Sequence, residues 1–299
     1  MQSKNTPVFN LILCLSLLYI IYFLAKSDLL HFPEITNISH FVVSLSFLIL
    51  GTIFLESYSW HRCIKNAIPN LSLKDSISAS GMTVFGKYLP GKFWGIAGRS
   101  DYISKKYNYN LGDILNLSLN FQVLIIWVGL IFGLSGLIIL KVTFAQLNYF
   151  AYFAILLSFG FFSKKFQSYL IMITSKLFKR NIRFVSPSEA IRLIPIIVLS
   201  WLIISLSFYF FVQSMHSEKI AFSIGLIYPL GVTIGVLSLL VPGGLGVREG
   251  VFAFLLGSVG FSIEFSLTIS IFSRLWSIMA DIGFFLFSIF FRKFNELYS

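Results

Sequence analysis

Charged side chains are scarce in this sequence of 299 residues, since they make up 12% of it against 57% for hydrophobic residues. A soluble domain carries about 25% charged residues, so the composition excludes an ordinary water-soluble protein. The apolar residues form runs of about 20 residues along the whole chain, the length that crosses a hydrocarbon core of about 30 Å. No alternating strand pattern is present, and lipid leaves unpaired backbone groups unsatisfied. We therefore expect an all-α polytopic membrane protein.

Residues that build catalytic and metal sites are also few. The two cysteines and four histidines share no ligand spacing, and no phosphate-binding loop, G-x-S-x-G or D-x-D motif is present. The sequence therefore predicts no metal, no cofactor and no catalytic constellation. The net charge of +11 is spread over several connecting segments rather than one face, which argues against nucleic acid as a partner.

Seven apolar runs are candidate membrane spans. They are residues 8–24, 41–55, 114–140, 149–162, 190–212, 220–241 and 263–291. The first is too long for a signal-peptide core and is expected to be a retained N-terminal anchor helix. The chain then has about six to eight transmembrane helices, depending on whether 220–260 makes two crossings or one re-entrant hairpin.

Lysine and arginine are concentrated in residues 58–113 and 163–189, and the positive-inside rule predicts that both segments are cytoplasmic. The same rule predicts that the N- and C-termini are cytoplasmic in a multi-pass protein of the cytoplasmic membrane. Residues 163–189 form the basic loop between the two halves of one transmembrane domain, 1–299.

The segment VPGGLGVREG, residues 241–250, interrupts one of the apolar runs. Proline removes a backbone donor and glycine weakens a helix, so we expect a helix break inside the membrane. The residues concerned are Pro242, Gly243, Gly244 and Gly246. Irregular backbone at that depth is typical of transport sites, and the restarting helix would present free N–H groups beside Arg248, which suits an anion.

A second segment, YLPGKFWGIAGR, residues 88–99, has the same character. Pro90 and Gly91 follow an apolar run, and further glycines precede Arg99. Paired Gly/Pro-interrupted segments are typical of transporters built from repeats. We therefore predict two repeats, about 41–162 and about 190–291, each with a broken, re-entrant helical hairpin; the repeats are inverted if the second hairpin enters from outside.

Two polar stripes follow the broken segments. Ser270, Arg274, Ser277 and Asp281 share one helical face, and so do Asp113, Asn116 and Asn120. Charges within a span are costly unless they face the bundle interior and find partners. The sequence therefore predicts a central charged group of Arg248, Glu249, Arg274 and Asp281, with Asn116 and Asn120 as further substrate contacts.

Structural roles for the same residues stay open. Arg248 with Glu249 is a candidate structural ion pair, and Arg274 with Asp281 a candidate tie between helices. Lys87 and Lys92 are candidates for side chains that reach lipid headgroups. Gly129, Gly133 and Gly136 are expected to allow close helix packing.

LPGKFWGIAGR and especially PGGLGVREG, residues 242–250, resemble the transmembrane, flippase-like domain of lysylphosphatidylglycerol synthases. This resemblance implies a helical bundle in the inner membrane that moves a lipid between leaflets. It also implies a motif role for Pro242, Gly243, Gly244, Gly246, Arg248, Glu249 and Gly250. The transferase domain of the two-part synthases is not expected here, so synthesis of lysyl lipid is not expected either.

The leading hypothesis is a translocase for an anionic or phosphate-containing lipid, whether phospholipid, glycolipid or polyprenyl-phosphate-linked sugar. Arg248 and the helix starts after Pro90 and Pro242 would hold the phosphate, and Glu249 and Asp281 would neutralise the arginines when no lipid is bound. Two alternatives stay open: a membrane-embedded glycosyl or phosphoglycosyl transferase, and a scaffold subunit for a separate synthase or glycosyltransferase.

Overall fold

A computed structural model describes residues 34–89, 93–142, 147–165, 167–169, 185–238 and 246–297. The predicted anchor helix, residues 8–24, lies outside these ranges. So do Pro90, Gly91, Lys92 and Pro242, Gly243 and Gly244, at which the two helix breaks were predicted.

The described residues are helical and contain no strand. The main helices are α1 (Ile38–Ile64), α2 (Leu73–Met82), α3 (Trp94–Tyr107), α4 (Leu111–Ile139), α5 (Leu147–Phe162), α6 (Pro187–Gln213), α7 (Ile227–Leu237), α8 (Val247–Ser258) and α9 (Ile263–Leu297). Two short 3₁₀ helices, Val84–Tyr88 and Phe222–Leu226, follow α2 and precede α7. Residues Ile53–Ser59 of α1 form a π-helical stretch.

Four helices, α1, α4, α6 and α9, are long and apolar enough to cross a membrane. The apolar helices Asn148–Phe162 and Phe222–Leu237 are shorter. The composition and these helices define a multi-pass membrane protein, as predicted. Spans 114–140 and 190–212 closely match α4 and α6, whereas span 41–55 was predicted too short, because α1 continues to Ile64.

Local sequence signals explain where several helices begin. The Asn37 side chain accepts a hydrogen bond from the His40 N–H at the start of α1, and Asn110 does the same for Asp113 at the start of α4. Ser186 and Glu189 form a reciprocal capping box before α6, whose first residue is proline. These side chains satisfy backbone donors that the first turn of a helix leaves unpaired.

A sequence of long helix, short helix, short helix and long helix occurs twice, as α1 to α4 and as α6 to α9. The long helices α1 and α6 pack against each other. Short helix α2 packs against α9 at the far end of the chain, and short helix α7 packs against α4. Each half therefore contributes a short helix to the surface of the other half's last long helix.

Glycines make the contact between α4 and α7 close. A Cβ added at Gly133 would lie 2.6 Å from the Leu230 Cβ, and one at Gly136 would lie 2.6 Å from the Leu226 Cβ. Gly129 faces Thr233 of α7 in the same way. The expectation that this small-residue stripe allows close helix packing is confirmed.

Candidate functional site

The polar stripe of α9 is buried along its whole length. Ser270, Arg274, Ser277 and Asp281 have exposed fractions of 1%, 3%, 8% and 2%. Helical spacing put these residues on one face, and packing against α8 and α2 covers that face. Because ionised groups are costly away from water, each charge on this stripe needs a partner from another element.

Arg274 finds its partner on α8. Its Nε and Nη2 atoms each lie 2.7 Å from the Oε1 atom of Glu249. The second carboxylate oxygen of Glu249 accepts a hydrogen bond from the Gly246 N–H at 2.8 Å. Glu249 therefore neutralises Arg274 and also caps the start of α8.

Asp281 pairs with the 3₁₀ helix that follows α2. Its Oδ1 atom lies 2.7 Å from the Lys87 Nζ, and its Oδ2 atom accepts a hydrogen bond from the Tyr88 hydroxyl at 2.5 Å. The predicted neutralisation of an arginine by Asp281 is therefore wrong. The alternative that Arg274 and Asp281 tie helices together is confirmed, because Arg274 bonds α8 and Asp281 bonds the 3₁₀ helix after α2. Lys87 is the cation that reaches this carboxylate, rather than a side chain that only reaches headgroups.

Arg248 lies between these two pairs, at the start of α8. Its Nη2 atom is 3.1 Å from the Ser277 Oγ, 3.2 Å from the Ser273 carbonyl oxygen and 3.4 Å from the Tyr228 hydroxyl. Its guanidinium carbon lies 5.4 Å from the ring centroid of Tyr228 and 5.2 Å from that of Phe252. These neighbours are hydroxyls, a carbonyl and aromatic faces.

Arg248 has no carboxylate partner within the described residues. The alternative of an ion pair with Glu249 is wrong, because Glu249 is bonded to Arg274 and Gly246. The Arg248 Nε atom is buried and has no hydrogen-bond partner in the described part of the chain. The described central group thus contains three cations and two carboxylates. Glu249 pairs with Arg274 and Asp281 pairs with Lys87, so the third cation, Arg248, has no carboxylate partner there.

Arg99 belongs to a second polar cluster, between α3 and α1. It is 2% exposed, its Nη1 atom lies 3.1 Å from the Glu56 Oε2, and its guanidinium lies 4.8 Å from the Trp60 ring centroid. Its Nε and Nη2 atoms have no hydrogen-bond partner among the residues that the structure describes. Glu56 was missed in the sequence, where a single acid at the end of a hydrophobic run resembles the start of a loop.

Within the described residues, no hydrogen bond joins Asn116 or Asn120 to either cluster. Within the described residues they contact each other, with the Asn120 Nδ2 donating to the Asn116 carbonyl oxygen at 2.8 Å. Both are half-buried, and the fully buried face of α4 instead contains Ser118, whose hydroxyl accepts from the Trp60 Nε1 at 2.9 Å. A substrate contact by these asparagines therefore stays a prediction.

The described end of the PGGLGVREG segment is a tight helix start. Gly246 has φ +77°, a backbone conformation that favours glycine, and is the N-cap of α8. Gly250 lies in the first turns of α8, exposed, with nothing within 4 Å of an added Cβ. The glycine at 246 is therefore required by the backbone, whereas the glycine at 250 is not required by contacts in the described residues.

An acid–base cluster outside the four membrane-length helices joins the start of α2 to the end of α3. Asp75 bonds Lys106, the Tyr107 hydroxyl at 2.6 Å and the Ser72 hydroxyl at 2.8 Å. Burial raises the pKa of Asp75, but these three hydrogen bonds outweigh burial, so the pKa of this carboxyl is lowered from its usual value. The cluster holds the start of α2 against the end of α3.

The fold and the charged groups define a class. The protein is a multi-pass helical membrane protein with a cluster of charged residues between its short and long helices, in which some charges form ion pairs and one does not. Comparison identifies the family. A family model described as the lysylphosphatidylglycerol synthase TM region matches residues 10–282, and the chain belongs to this family. Comparison with curated proteins gives no match. The family is a membrane domain linked to lipid modification or flipping.

Proposed function

We propose that the protein is a lipid translocase that moves an anionic or phosphate-containing lipid between the leaflets of the cytoplasmic membrane. The proposal rests mainly on one observation: Arg248 is a half-buried cation that has no carboxylate partner within the described residues. An unpaired cation in such a place favours an anion as its occupant. Membership of a family linked to lipid modification or flipping favours a lipid as the source of that anion.

The neighbours of Arg248 suit a phosphate. A guanidinium donates in a planar fork that matches phosphate oxygens. Among the described residues only Nη2 of Arg248 is engaged, and its acceptors are neutral. The Tyr228 hydroxyl is also available as a donor to the same oxygens, whereas the Ser273 and Ser277 hydroxyls already donate to backbone carbonyl oxygens of α9. The ion pairs Arg274–Glu249 and Lys87–Asp281 on either side neutralise the other charges, so the site offers one net positive charge.

The arrangement of helices supports the transport reading. None of the short helices α2, α3, α7 and α8 is long enough to cross about 30 Å of hydrocarbon at about 1.5 Å per residue. Together with the Pro-Gly segments between them, they suit two re-entrant hairpins in two repeats, inverted relative to each other. The headgroup would move along the polar face of α9 while the acyl or prenyl tails stay in lipid.

A vesicle assay with fluorescent phosphatidylglycerol tests the role of Arg248. The wild type should expose the inner-leaflet headgroup to an external quencher, and Arg248→Gln should slow this by about tenfold to a hundredfold, because hydrogen bonds to a charged group contribute about 1.5–3 kcal/mol. Lys164→Gln removes an exposed cation elsewhere and should behave as wild type. Equal rates for wild type and Arg248→Gln would refute the assignment.

The same purified protein distinguishes the rival functions. Formation of glycolipid from a lipid-linked sugar donor would require the transferase reading. If the wild type co-purifies stably with a synthase and moves no lipid in vesicles, the scaffold function would be favoured. Headgroup exposure that depends on Arg248, without new product, supports the translocase.

A further inference from the structure

A cavity of about 240 Å³ lies between the end of α1 and the start of α6, away from the central charged group. Its inner wall is apolar and buried, and includes Cys63, Leu117 and Leu193. This volume is several times the roughly 30 Å³ of a water molecule, and below the roughly 300–1,000 Å³ of pockets for drug-sized ligands. The cavity therefore suits a small polar group rather than an acyl chain.

The rim of the cavity is cationic. Arg62, Lys65 and Arg192 line it, and all three are exposed. None of them forms an ion pair with a carboxylate in the described part of the chain. Three positive charges thus surround one small cavity, and none of them is paired with a carboxylate of the described residues.

Among the described residues that line the cavity, the one acid is Glu189, and it already accepts hydrogen bonds. Its Oε2 atom accepts hydrogen bonds from the Ser186 N–H and hydroxyl, both at 2.9 Å, and its Oε1 atom accepts from the Asn66 Nδ2 at 3.0 Å. These bonds cap α6 and tie it to the turn after α1. Because its oxygens accept from these donors, Glu189 forms part of the cavity wall. Its negative charge leaves the described lining with a net charge of +2.

The cavity also lies where one membrane-length helix ends and another begins. α1 is a membrane-length helix that ends at Ile64, and α6 is a membrane-length helix that begins at Pro187. An apolar wall below a cationic rim, at the depth where spans begin and end, matches a lipid headgroup lying in one leaflet. The concentration of lysine and arginine near both helix ends predicts the cytoplasmic leaflet.

We propose that this cavity binds the phosphate group of an anionic lipid headgroup, as a peripheral site separate from Arg248. The Arg62 and Arg192 guanidiniums and the Lys65 ammonium would contact the phosphate oxygens, and the apolar wall would accommodate the first carbon atoms of the lipid. This site would have a role other than lipid translocation. Because α1 and α6 pack together, an anion bound between their ends would hold the two helices at their present spacing.

Thermal unfolding of the full chain in mixed micelles tests the site. The ligands are phosphatidylglycerol, phosphatidylcholine and inorganic phosphate, each titrated separately. The variant is Arg62→Gln/Lys65→Gln/Arg192→Gln, and the matched control, Lys74→Gln/Lys164→Gln/Lys165→Gln, removes the same charge from exposed positions elsewhere. Folding of each variant is checked by its unfolding midpoint without added lipid.

We expect phosphatidylglycerol to stabilise the wild type and the control, and to bind the cavity variant at least about tenfold more weakly, because each basic residue near an anionic surface contributes about 1 kcal/mol. Phosphatidylcholine should have little effect. Equal stabilisation by inorganic phosphate would support the phosphate chemistry and assign it to a free anion rather than to a lipid.

Two results would overturn the proposal: no stabilisation of the wild type by either anion, or equal affinity of the cavity variant and the control. If the cavity variant unfolds at a lower temperature without lipid, the variant Arg62→Lys/Arg192→Lys, which keeps the charge, must restore both the fold and the affinity. Failure to restore the affinity would also overturn the proposal. Headgroup movement in vesicles should be unchanged in the cavity variant, so this site and the role of Arg248 fail independently.

Discussion

The ion pair between Arg274 and Glu249 should be strongly coupled, and its strength follows from its burial. The side chains are 4% and 15% exposed, and two arginine nitrogens lie 2.7 Å from one carboxylate oxygen. Two unit charges about 4 Å apart attract by about 4 kcal/mol at an effective dielectric constant of about 20. Removing one partner leaves the other buried and uncompensated, which costs about 3–5 kcal/mol.

A double-mutant cycle measures this coupling. Glu249→Gln, Arg274→Met and the double variant are compared by reversible unfolding in mixed micelles. Each single variant should lose about 3–5 kcal/mol of unfolding free energy, and the double variant should lose about 2–3 kcal/mol less than the sum, because it leaves no stranded charge.

The exposed pair Asp101–Lys105 provides the matched control. Its side chains are 38% and 56% exposed, one helical turn apart on α3. The same cycle with Asp101→Asn and Lys105→Gln should give a coupling of about 0.5 kcal/mol or less. Additive losses at Glu249 and Arg274, within about 0.5 kcal/mol, would refute the reasoning that these two buried charges depend on each other.

Three further outcomes follow from the described contacts. The pKa of Asp75 is lower in the folded chain than in the unfolded chain, so the ionised Asp75 stabilises the fold fully above about pH 4, and this contribution is lost as pH falls through the folded pKa. Asp75→Asn should therefore make the unfolding midpoint depend less on pH between about pH 3 and 5. Gly133→Ala forces a Cβ against the Leu230 backbone and should cost about 1–3 kcal/mol, whereas Gly160→Ala, with open space, should be neutral or stabilising. Gly246→Ala should destabilise by about 1–2 kcal/mol because of its positive φ, which calorimetry would detect.

The sequence was informative wherever one element alone determines the answer. Hydropathy located α4 and α6, and the period of 3.6 residues identified the buried stripe of α9. Glycine spacing on α4 correctly indicated a helix contact. These features depend on a single helix and on the length of the bilayer.

Pairing between elements was not predictable in the same way. The partner of Asp281 is Lys87, 194 residues away, and the spacing within α9 favoured an arginine instead. Hydropathy also ended the first described span before Glu56, since a charge within an apolar run looks the same whether it is solvated or paired. The structure shows Glu56 inside a continuing helix, where Arg99 neutralises it.

The two halves of the fold differ in the charge they offer to an anion. Arg99 and Arg248 each lie against aromatic rings. Two buried nitrogens of Arg99 and one of Arg248 have no hydrogen-bond partner among the described residues. At Arg99, however, the carboxylate of Glu56 lies 3.1 Å away, so an incoming phosphate would meet a negative charge as well as the cation. At Arg248 the nearest polar atoms are hydroxyls and a carbonyl. A phosphate therefore gains more at Arg248, and the second half of the fold, rather than the first, should set the affinity for the lipid headgroup.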